Sequence, residues 1–83
     1  MLYIITETIE LEKQLFTTSN NKVTDEYDAA NMFLTRKHML ESTHGAQVLV
    51  DEYNDTDDWG LFKVKLRNGL IVELAYSRVD LSE

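Results

Sequence analysis

The stretch Trp59–Val79, WGLFKVKLRNGLIVELAYSRV, decides the fold, because two β-rich runs flank its Asn68-Gly69 pair. An Asn-Gly pair between alternating hydrophobic residues is the strongest short-range signal for a β-hairpin. The first run has one apolar face and one basic face, as a half-buried strand would. Its apolar residues Phe62, Val64 and Leu66 alternate with Lys63, Lys65 and Arg67.

The register of this hairpin follows from its two faces. A two-residue Asn-Gly loop would set Val64 opposite Glu73 and would mix apolar with charged side chains. A three-residue loop over 67–69 matches like faces, whereas a slip of one residue moves every side chain to the other face. We therefore predict the longer loop, with Gly69 in the left-handed position of a type I turn and G1 bulge. The predicted cross-strand pairs are Leu66–Leu70, Val64–Val72, Phe62–Leu74 and Lys63–Glu73.

The length and composition are those of one globular domain, residues 1–83. Hydrophobic residues make up 43% of the chain, which fits a folded protein rather than a disordered one. The chain has no cysteine, so it holds no disulfide, no thiolate metal site and no cysteine nucleophile. No apolar run approaches the ~18 residues of a membrane-spanning helix. The start lacks the basic region of a signal peptide, and we expect a cytoplasmic protein.

The net charge of −7 limits the classes of partner. Nucleic acid and anionic lipid both select Lys and Arg, because these cations replace condensed counterions. We therefore expect neither nucleic acid nor a membrane as a direct ligand. A basic protein is a compatible partner. The alternative is an acidic surface that only keeps a small protein soluble.

The N-terminal third is predicted to begin with a short strand over Leu2–Ile5. The next stretch, Glu7–Phe16, fits two structures. Its apolar residues alternate as in a half-buried strand, yet Leu11 and Leu15 also have the i, i+4 spacing of a short helix. The surrounding threonines favour the strand. We predict that the polar cluster Ser19–Lys22 is a turn that ends this segment.

A helix is predicted at about residues 24–42. Thr24 is the predicted N-cap, and three carboxylates follow it in the first turn, where the helix dipole favours them. Gly45 is the predicted left-handed residue beyond the C-terminus. A 3–4 spacing predicts one buried stripe, composed of Tyr27, Ala30, Phe33, Leu34, Lys37 and Leu40.

The remaining sequence completes an α+β domain. Ala46–Tyr53 is predicted to be a strand with Val48 and Val50 on one face and Leu49 on the other, and the tail 80–83 is predicted to fray. The order is one or two strands, a helix and three strands. We predict an antiparallel sheet of four or five strands with the helix packed on one face.

The densest charge lies in the segment 51–58, DEYNDTDD, with five carboxylates and no Lys or Arg between His38 and Phe62. A calcium loop would need oxygen ligands at positions where Trp59 and Leu66 fall, so we predict no metal site. Two interpretations remain. One is a solvated acidic loop in which Trp59 only closes the core. The other is an interface with Lys and Arg of a partner, anchored by aromatic side chains. The candidate partner-binding residues are Asp51, Glu52, Tyr53, Asp55, Asp57, Asp58 and Trp59.

A second acidic group, Glu7, Glu10 and Glu12, suggests mimicry of nucleic acid. If Glu10 and Glu12 both point outward from a strand, they stand about 7 Å apart, a scale similar to the spacing of phosphates. Carboxylates spread over one face would then occupy the nucleic-acid groove of a partner. Small acidic α+β chains without cysteine are often inhibitors or adaptors carried by phages and other mobile elements, which is an analogy of fold and charge.

The sequence holds little that points to catalysis or to a cofactor. His38 and His44 lie six residues apart, without neighbours that complete a metal set or a nucleophile–base pair. There is no nucleophile elbow, Gly-rich phosphate loop or zinc-protease motif. We therefore expect a protein that is not an enzyme and that carries no cofactor. A pair of carboxylates in a cleft is the remaining enzymatic alternative.

The basic face of the hairpin supports a second hypothesis. Residues 61–83 carry four Lys/Arg against three Asp/Glu, a net charge of +1, which leaves −8 for the first sixty residues. These cations either discourage pairing at a sheet edge or contact the acidic loop of another copy. Two functions follow. The first is an acidic inhibitor that docks on a basic protein, such as one that binds nucleic acid. The second is a homo-oligomer, such as a homodimer, that associates through its sheet.

Overall fold

A computed structural model describes residues 2–79, apart from the side chain of Phe16. The elements in chain order are β1 (Leu2–Leu11), β2 (Gln14–Val23), α1 (Glu26–Glu41), β3 (Gln47–Asn54), β4 (Trp59–Lys65) and β5 (Ile71–Val79). The strands form one antiparallel sheet in the order β2-β1-β5-β4-β3, and α1 packs on one face. This is the predicted α+β architecture. The expectation for the tail 80–83 lies outside the described residues.

The predicted register of the β4–β5 hairpin is confirmed. Val64 faces Val72, Phe62 faces Leu74 and Lys63 faces Glu73. The loop is closed by two backbone hydrogen bonds, from Leu66 N to Leu70 O at 2.8 Å and from Gly69 N to Leu66 O at 2.9 Å. Gly69 has a φ of +92°, the left-handed conformation that its position in the turn requires. The Asn68 side chain accepts a hydrogen bond from Leu70 N at 3.1 Å.

The N-terminal third is a long β-hairpin. The preference for strand over helix in Glu7–Phe16 is confirmed outside its turn, but two other predictions were wrong. The first strand runs to Leu11 rather than ending at Ile5, and the stretch Glu7–Phe16 holds a strand, a turn and the start of the next strand. The turn lies at Glu12 and Lys13, which have φ values of 53° and 67°. Ser19–Lys22 is part of β2 and pairs with β1, instead of forming a turn. Polar residues are tolerated there because β2 is an edge strand open to solvent.

The helix occupies the predicted region, with a different cap and with one residue of the predicted buried stripe exposed. Asp25, not Thr24, is the N-cap, since its carboxylate accepts hydrogen bonds from Tyr27 N and Asp28 N at 2.9 and 3.1 Å. Tyr27 was predicted to be buried but is 75% exposed, whereas Ala29 is buried and was not in the predicted stripe. The other five residues of the predicted stripe are buried or half-buried, so the stripe is confirmed apart from its first residue, which lies in the exposed first turn. The prediction of a left-handed Gly45 is confirmed by its φ of +81°.

The core lies between α1 and the helix-facing side of the sheet. Phe33 is fully buried at its centre, where its ring lies against β4. A Cβ built on Gly60 would lie only 2.8 Å from that ring, so the glycine makes room for the helix. The buried hydrophobic residues are Tyr3, Ile5, Ala29, Phe33, Leu40, Phe62, Val64, Val72, Leu74 and Tyr76.

Strand β3 departs from the predicted alternation because of a β-bulge. Val48 faces the buried Val64, but Val50 faces Lys63, so these two valines lie on opposite sides of the sheet. The register shift falls at Leu49, which is 43% exposed. An extra residue on one strand changes which side chains point inward, and simple alternation does not anticipate it.

Candidate functional site: an acidic pole

Asp51 and Glu52, the first two of the candidate partner-binding residues, lie on opposite faces of β3. Asp51 faces α1, where its Oδ1 lies 2.7 Å from Lys37 Nζ. That ammonium group also stands 5.9 Å from the centre of the Phe62 ring, which combines an ion pair with a cation–π contact. Glu52 pairs with Leu61 in the register and is exposed on the other side of the sheet. The structure therefore does not bring these two carboxylates together.

The acidic turn between β3 and β4 contains one paired carboxylate and two exposed ones. Asp58 adopts a positive φ of 54°, and its Oδ2 accepts a hydrogen bond from Arg78 Nη1 at 3.1 Å. Asp55 and Asp57 are exposed. Asn54 holds the turn by accepting a hydrogen bond from Asp57 N at 2.9 Å. Two of the five carboxylates of this segment are therefore neutralised, although it contains no Lys or Arg, because Lys37 and Arg78 reach it from elsewhere in the chain.

The two aromatic candidates also separate. Tyr53 lies on the helix-facing side of the sheet. Its ring stacks on Phe33 with 5.9 Å between the ring centres, and it meets the Tyr76 ring edge-on with 6.3 Å between the centres. It is 38% exposed, so part of the ring still reaches solvent. Trp59 pairs with Ser77 and with Asn54 in the register, next to the acidic turn, and is 37% exposed. The two aromatic residues therefore lie on opposite faces of the sheet, and each remains partly exposed.

The fold adds a second group of carboxylates to this region, those at the start of α1, which were predicted only to stabilise the helix end. The start of α1 lies at the same end of the sheet as the β3–β4 turn. The Tyr3 hydroxyl donates a hydrogen bond to Glu26 Oε2 at 3.3 Å. Burial raises the pKa of Tyr3, and the charges of Glu26 and Asp58 raise it further. We call this end the acidic pole and define it by six residues. These are Asp25, Glu26, Asp28, Asp55, Asp57 and Asp58.

Three tyrosines beneath the acidic pole have raised pKa values, in part because of its carboxylates. Burial, reinforced by Asp58 and Glu26, raises the pKa of Tyr76 to about 12. The pKa of Tyr53 is raised by burial and then by Asp55, Asp58 and Glu26. A phenol near negative charge keeps its proton, because ionisation would place like charges together. The two acidic segments therefore act on the same small group of side chains.

The opposite end of the molecule is mixed in charge. It contains the β1–β2 and β4–β5 turns and the C-terminus of α1, where His38 Nδ1 lies 2.9 Å from Glu41 Oε1. The proposed 7 Å spacing of Glu10 and Glu12 as phosphate mimics was wrong, because only Glu10 lies in a strand. Glu12 sits in the turn with its positive φ of 53°. The regular carboxylate ladder required for that mimicry is therefore missing from β1.

A groove of about 470 Å³ separates α1 from β1 and β2. Its base is apolar, formed by Ile5 and Leu74, and its only ion pair within the described residues joins α1 to β1. Arg36 donates to Glu7 through Nε at 2.6 Å and through Nη2 at 3.0 Å. This bidentate contact raises the pKa of Arg36 and fixes the helix over the hairpin.

Neither a metal-binding cluster nor a membrane-spanning helix is found among the described residues. Between residues 2 and 79, no three His, Asp or Glu side chains converge in a way that could hold a metal ion. Over the same range, no helix is long and apolar enough to cross a membrane. Comparison with protein-family models, with curated proteins and with solved structures finds no match to this chain.

Proposed function

We propose that this chain is a non-enzymatic binding protein that docks its acidic pole on a basic protein surface. One observation carries the proposal. The fold joins the acidic first turn of α1 to the acidic β3–β4 turn, which lie about thirty residues apart in the sequence. Five of the six carboxylates of the acidic pole are exposed, and only Asp58 is half-buried. Clustered exposed charge of one sign raises the rate of association with a surface of the opposite sign.

Exposed aromatic side chains next to the acidic pole would supply the affinity that charge alone does not. Tyr27 follows Asp25 and Glu26 in the first turn of α1 and is 75% exposed. Trp59 follows Asp58 directly and is 37% exposed. Tyrosine and tryptophan are enriched among the residues that dominate binding energy, with charged residues around them at the rim. Asp51 and Glu52 stand outside this surface, since both lie within β3 rather than in the turn that follows it, and the first is bound to Lys37.

The partner that fits this chemistry is a cytoplasmic protein whose Lys/Arg surface binds nucleic acid. Such a surface is built to neutralise closely spaced phosphates, and the carboxylates of the acidic pole would compete for the same cations. The chain would then act as an inhibitor. Free nucleic acid is disfavoured as a direct ligand, because phosphates and carboxylates repel one another.

The test is capture of the partner from lysate of the native host with two matched double variants. Asp55→Asn with Asp57→Asn removes two exposed charges from the acidic pole. Glu10→Gln with Glu12→Gln removes the same charge at the other end of the molecule. We expect the unaltered protein and the second variant to retain one basic nucleic-acid-binding protein at low salt. We expect the first variant to retain about tenfold less, since two exposed charges are lost.

Two further measurements separate this proposal from unspecific attraction. Added double-stranded DNA should release the captured protein, because both ligands would use the same basic surface. Raising the salt concentration should weaken capture, since exposed charges are screened within about 10 Å at 0.1 M salt. Equal capture by both double variants, or a captured protein without a basic surface, would refute the proposal.

A further inference from the structure

The two edges of the sheet differ in ways that bear on self-association. The outer edge of β3 is interrupted by the bulge at Leu49 and carries Asp51 and Glu52. Bulges and charges are features that keep an edge strand from pairing with another chain. Strand β2 forms the other edge with ten residues, no carboxylate and a single charge, at Lys22. Its own register shift falls before Thr17, so the edge from Thr17 to Val23 is uninterrupted. Its main-chain groups on the outer side are left without a partner strand within the described residues.

We infer that β2 pairs in antiparallel fashion with β2 of a second copy, so that two chains share one ten-stranded sheet. The charge distribution favours another copy at this edge. In a chain with a net charge of −7, two copies repel each other wherever their carboxylates meet, and β2 brings none. The pairing is isologous, because the same strand is used on both sides of a two-fold axis.

The register of this pair can be derived from the pairing of β2 with β1. Thr17–Val23 is in regular register with β1, since the only shift falls at the Ile9/Glu10 step, and Asn20 is its midpoint. A two-fold axis perpendicular to the sheet keeps each side chain on its own face only when it passes through a residue position. With the axis at Asn20, all seven regular residues pair. Lys22 then faces Thr18 of the second copy, so the two lysines do not meet.

In this dimer, the groove beside β2 lies next to the same groove of the second copy. The helix leaves the inner side of β2 uncovered at Ser19 and Asn21, and Met32 and Met39 line the same groove while 41% and 59% exposed. A perpendicular two-fold axis places both helices on one side of the shared sheet. The two grooves would therefore meet across the paired β2 strands as one channel with methionine walls.

The acidic poles remain free in this dimer, so the inference is independent of the proposed function. Val23 marks the end of β2 nearest the acidic pole, and antiparallel pairing sends the two ends in opposite directions. The dimer would present one acidic pole at each end. A variant that loses dimerisation should still capture a basic partner, although without the gain from two linked sites.

The first test compares two isosteric variants by analytical ultracentrifugation from about 1 µM to about 1 mM protein, the range of weak association. Asn20→Asp places two carboxylates opposite each other at the axis, and it keeps the acceptor that Thr6 uses at 2.8 Å. Asn54→Asp adds the same charge at the β3 edge and keeps the acceptor for Asp57 N. We expect dimers of the unaltered chain and of Asn54→Asp, and about tenfold weaker association of Asn20→Asp at low salt.

The second test uses the absence of cysteine in the chain. Asn20→Cys would place two sulfurs across the axis, with Cα atoms about 4.5 to 5.5 Å apart, a distance that a disulfide spans. In Thr18→Cys the two Cα atoms would be about 14 Å apart, because four residues along the strand and the spacing between the two strands separate them. We expect rapid cross-linking of the first variant only. A monomeric mass throughout the concentration range, or equal cross-linking of both variants, would overturn the inference.

Discussion

Tyr76 shows how one side chain can belong both to the core and to the acidic pole. Tyr76 is 2% exposed. The centre of its ring lies 5.7 Å from that of Phe33 and 6.2 Å from that of Tyr3. Aromatic pairs at these distances add to the stabilisation from burial. Its phenol also lies within the field of Asp58 and Glu26. A change in the charge of the acidic pole therefore changes the pKa of a side chain in the core.

The raised pKa of Tyr76 predicts a loss of stability in alkali. The phenol has a pKa of about 12 in the folded chain, against an ordinary value of 10.0. Below pH 10 it is protonated in both states, so its contribution to stability is fully present. As the pH rises from 10 to about 12, the unfolded chain loses the proton first, and the free energy of unfolding falls.

Denaturant unfolding at a series of pH values, with tyrosinate absorbance as a second signal, measures this loss. In Tyr76→Phe the decline between pH 10 and 12 should become shallower, because the titrating group is gone. Tyr27→Phe is the matched control, since that ring is 75% exposed. The same pH dependence in Tyr76→Phe as in the unaltered protein would contradict the assignment.

At the scale of elements, the cap of α1 sets both the stability of the helix and the placement of its charges. Asp25 accepts two backbone hydrogen bonds, and Glu26 and Asp28 follow in the first turn. A side-chain acceptor at the N-cap satisfies donors that the helix itself cannot, and negative charge there meets the positive end of the helix dipole. The same residues form half of the acidic pole.

Removal of the cap should therefore destabilise the fold. We expect Asp25→Ala to lower the free energy of unfolding by about 1 kcal/mol, the usual effect of removing an N-cap acceptor. Thr24→Ala is the control and should change stability by less than about 0.5 kcal/mol, as an exposed residue does when it makes no cap. Thermal unfolding followed by circular dichroism measures both. A larger effect of Thr24→Ala would mean that the helix begins at the residue predicted from the sequence.

The elements that sequence reasoning predicted best are those whose signals are local. The β4–β5 hairpin was predicted in its register because Asn68-Gly69 and the alternation of Phe62 and Val64 act within one hairpin. The part of β2 from Ser19 to Lys22 was predicted to be a turn because a polar edge strand has the composition of a loop. Its strand conformation is imposed by β1, through contacts that propensity does not include.

The candidate site was predictable from the sequence only where its residues are neighbours along the chain. Asp55 and Asp57 lie in the exposed turn where the sequence placed them. The ion pairs of Asp51 with Lys37 and of Asp58 with Arg78 depend on packing between distant segments. The meeting of the α1 start with that turn depends likewise on the order of the strands, which composition and spacing do not determine.

At the scale of the whole molecule, the first and last described strands are neighbours. Leu2 faces Val79, and β1 pairs with β5 over nine positions. Adjacent strand ends can be joined without strain, since facing residues in an antiparallel pair lie about 4.5 to 5.5 Å apart. The sheet should therefore tolerate a change in the order of its chain.

A circular permutant tests this property. Residues 80–83 and 1 would serve as the linker, with new termini between Thr43 and His44 in the exposed connection after α1. We expect a folded protein whose free energy of unfolding is within about 2 kcal/mol of the original, because few contacts involve the opened connection. A permutant opened between Glu73 and Leu74, inside β5, should not fold. Circular dichroism and denaturant unfolding compare them, and failure of the first permutant would contradict this view.

The position of β5 also has a consequence for how the protein is made. It is the middle strand of the sheet, yet it comes last among the described strands. During synthesis, the β1–β2 hairpin and the β3–β4 pair emerge first, each with an open edge that only β5 can fill. A chain that ends before residue 71 would consist of two half-sheets without the strand that joins them, and exposed strand edges of that kind recruit chaperones or aggregate. The interval before β5 emerges is thus when the nascent chain is most vulnerable.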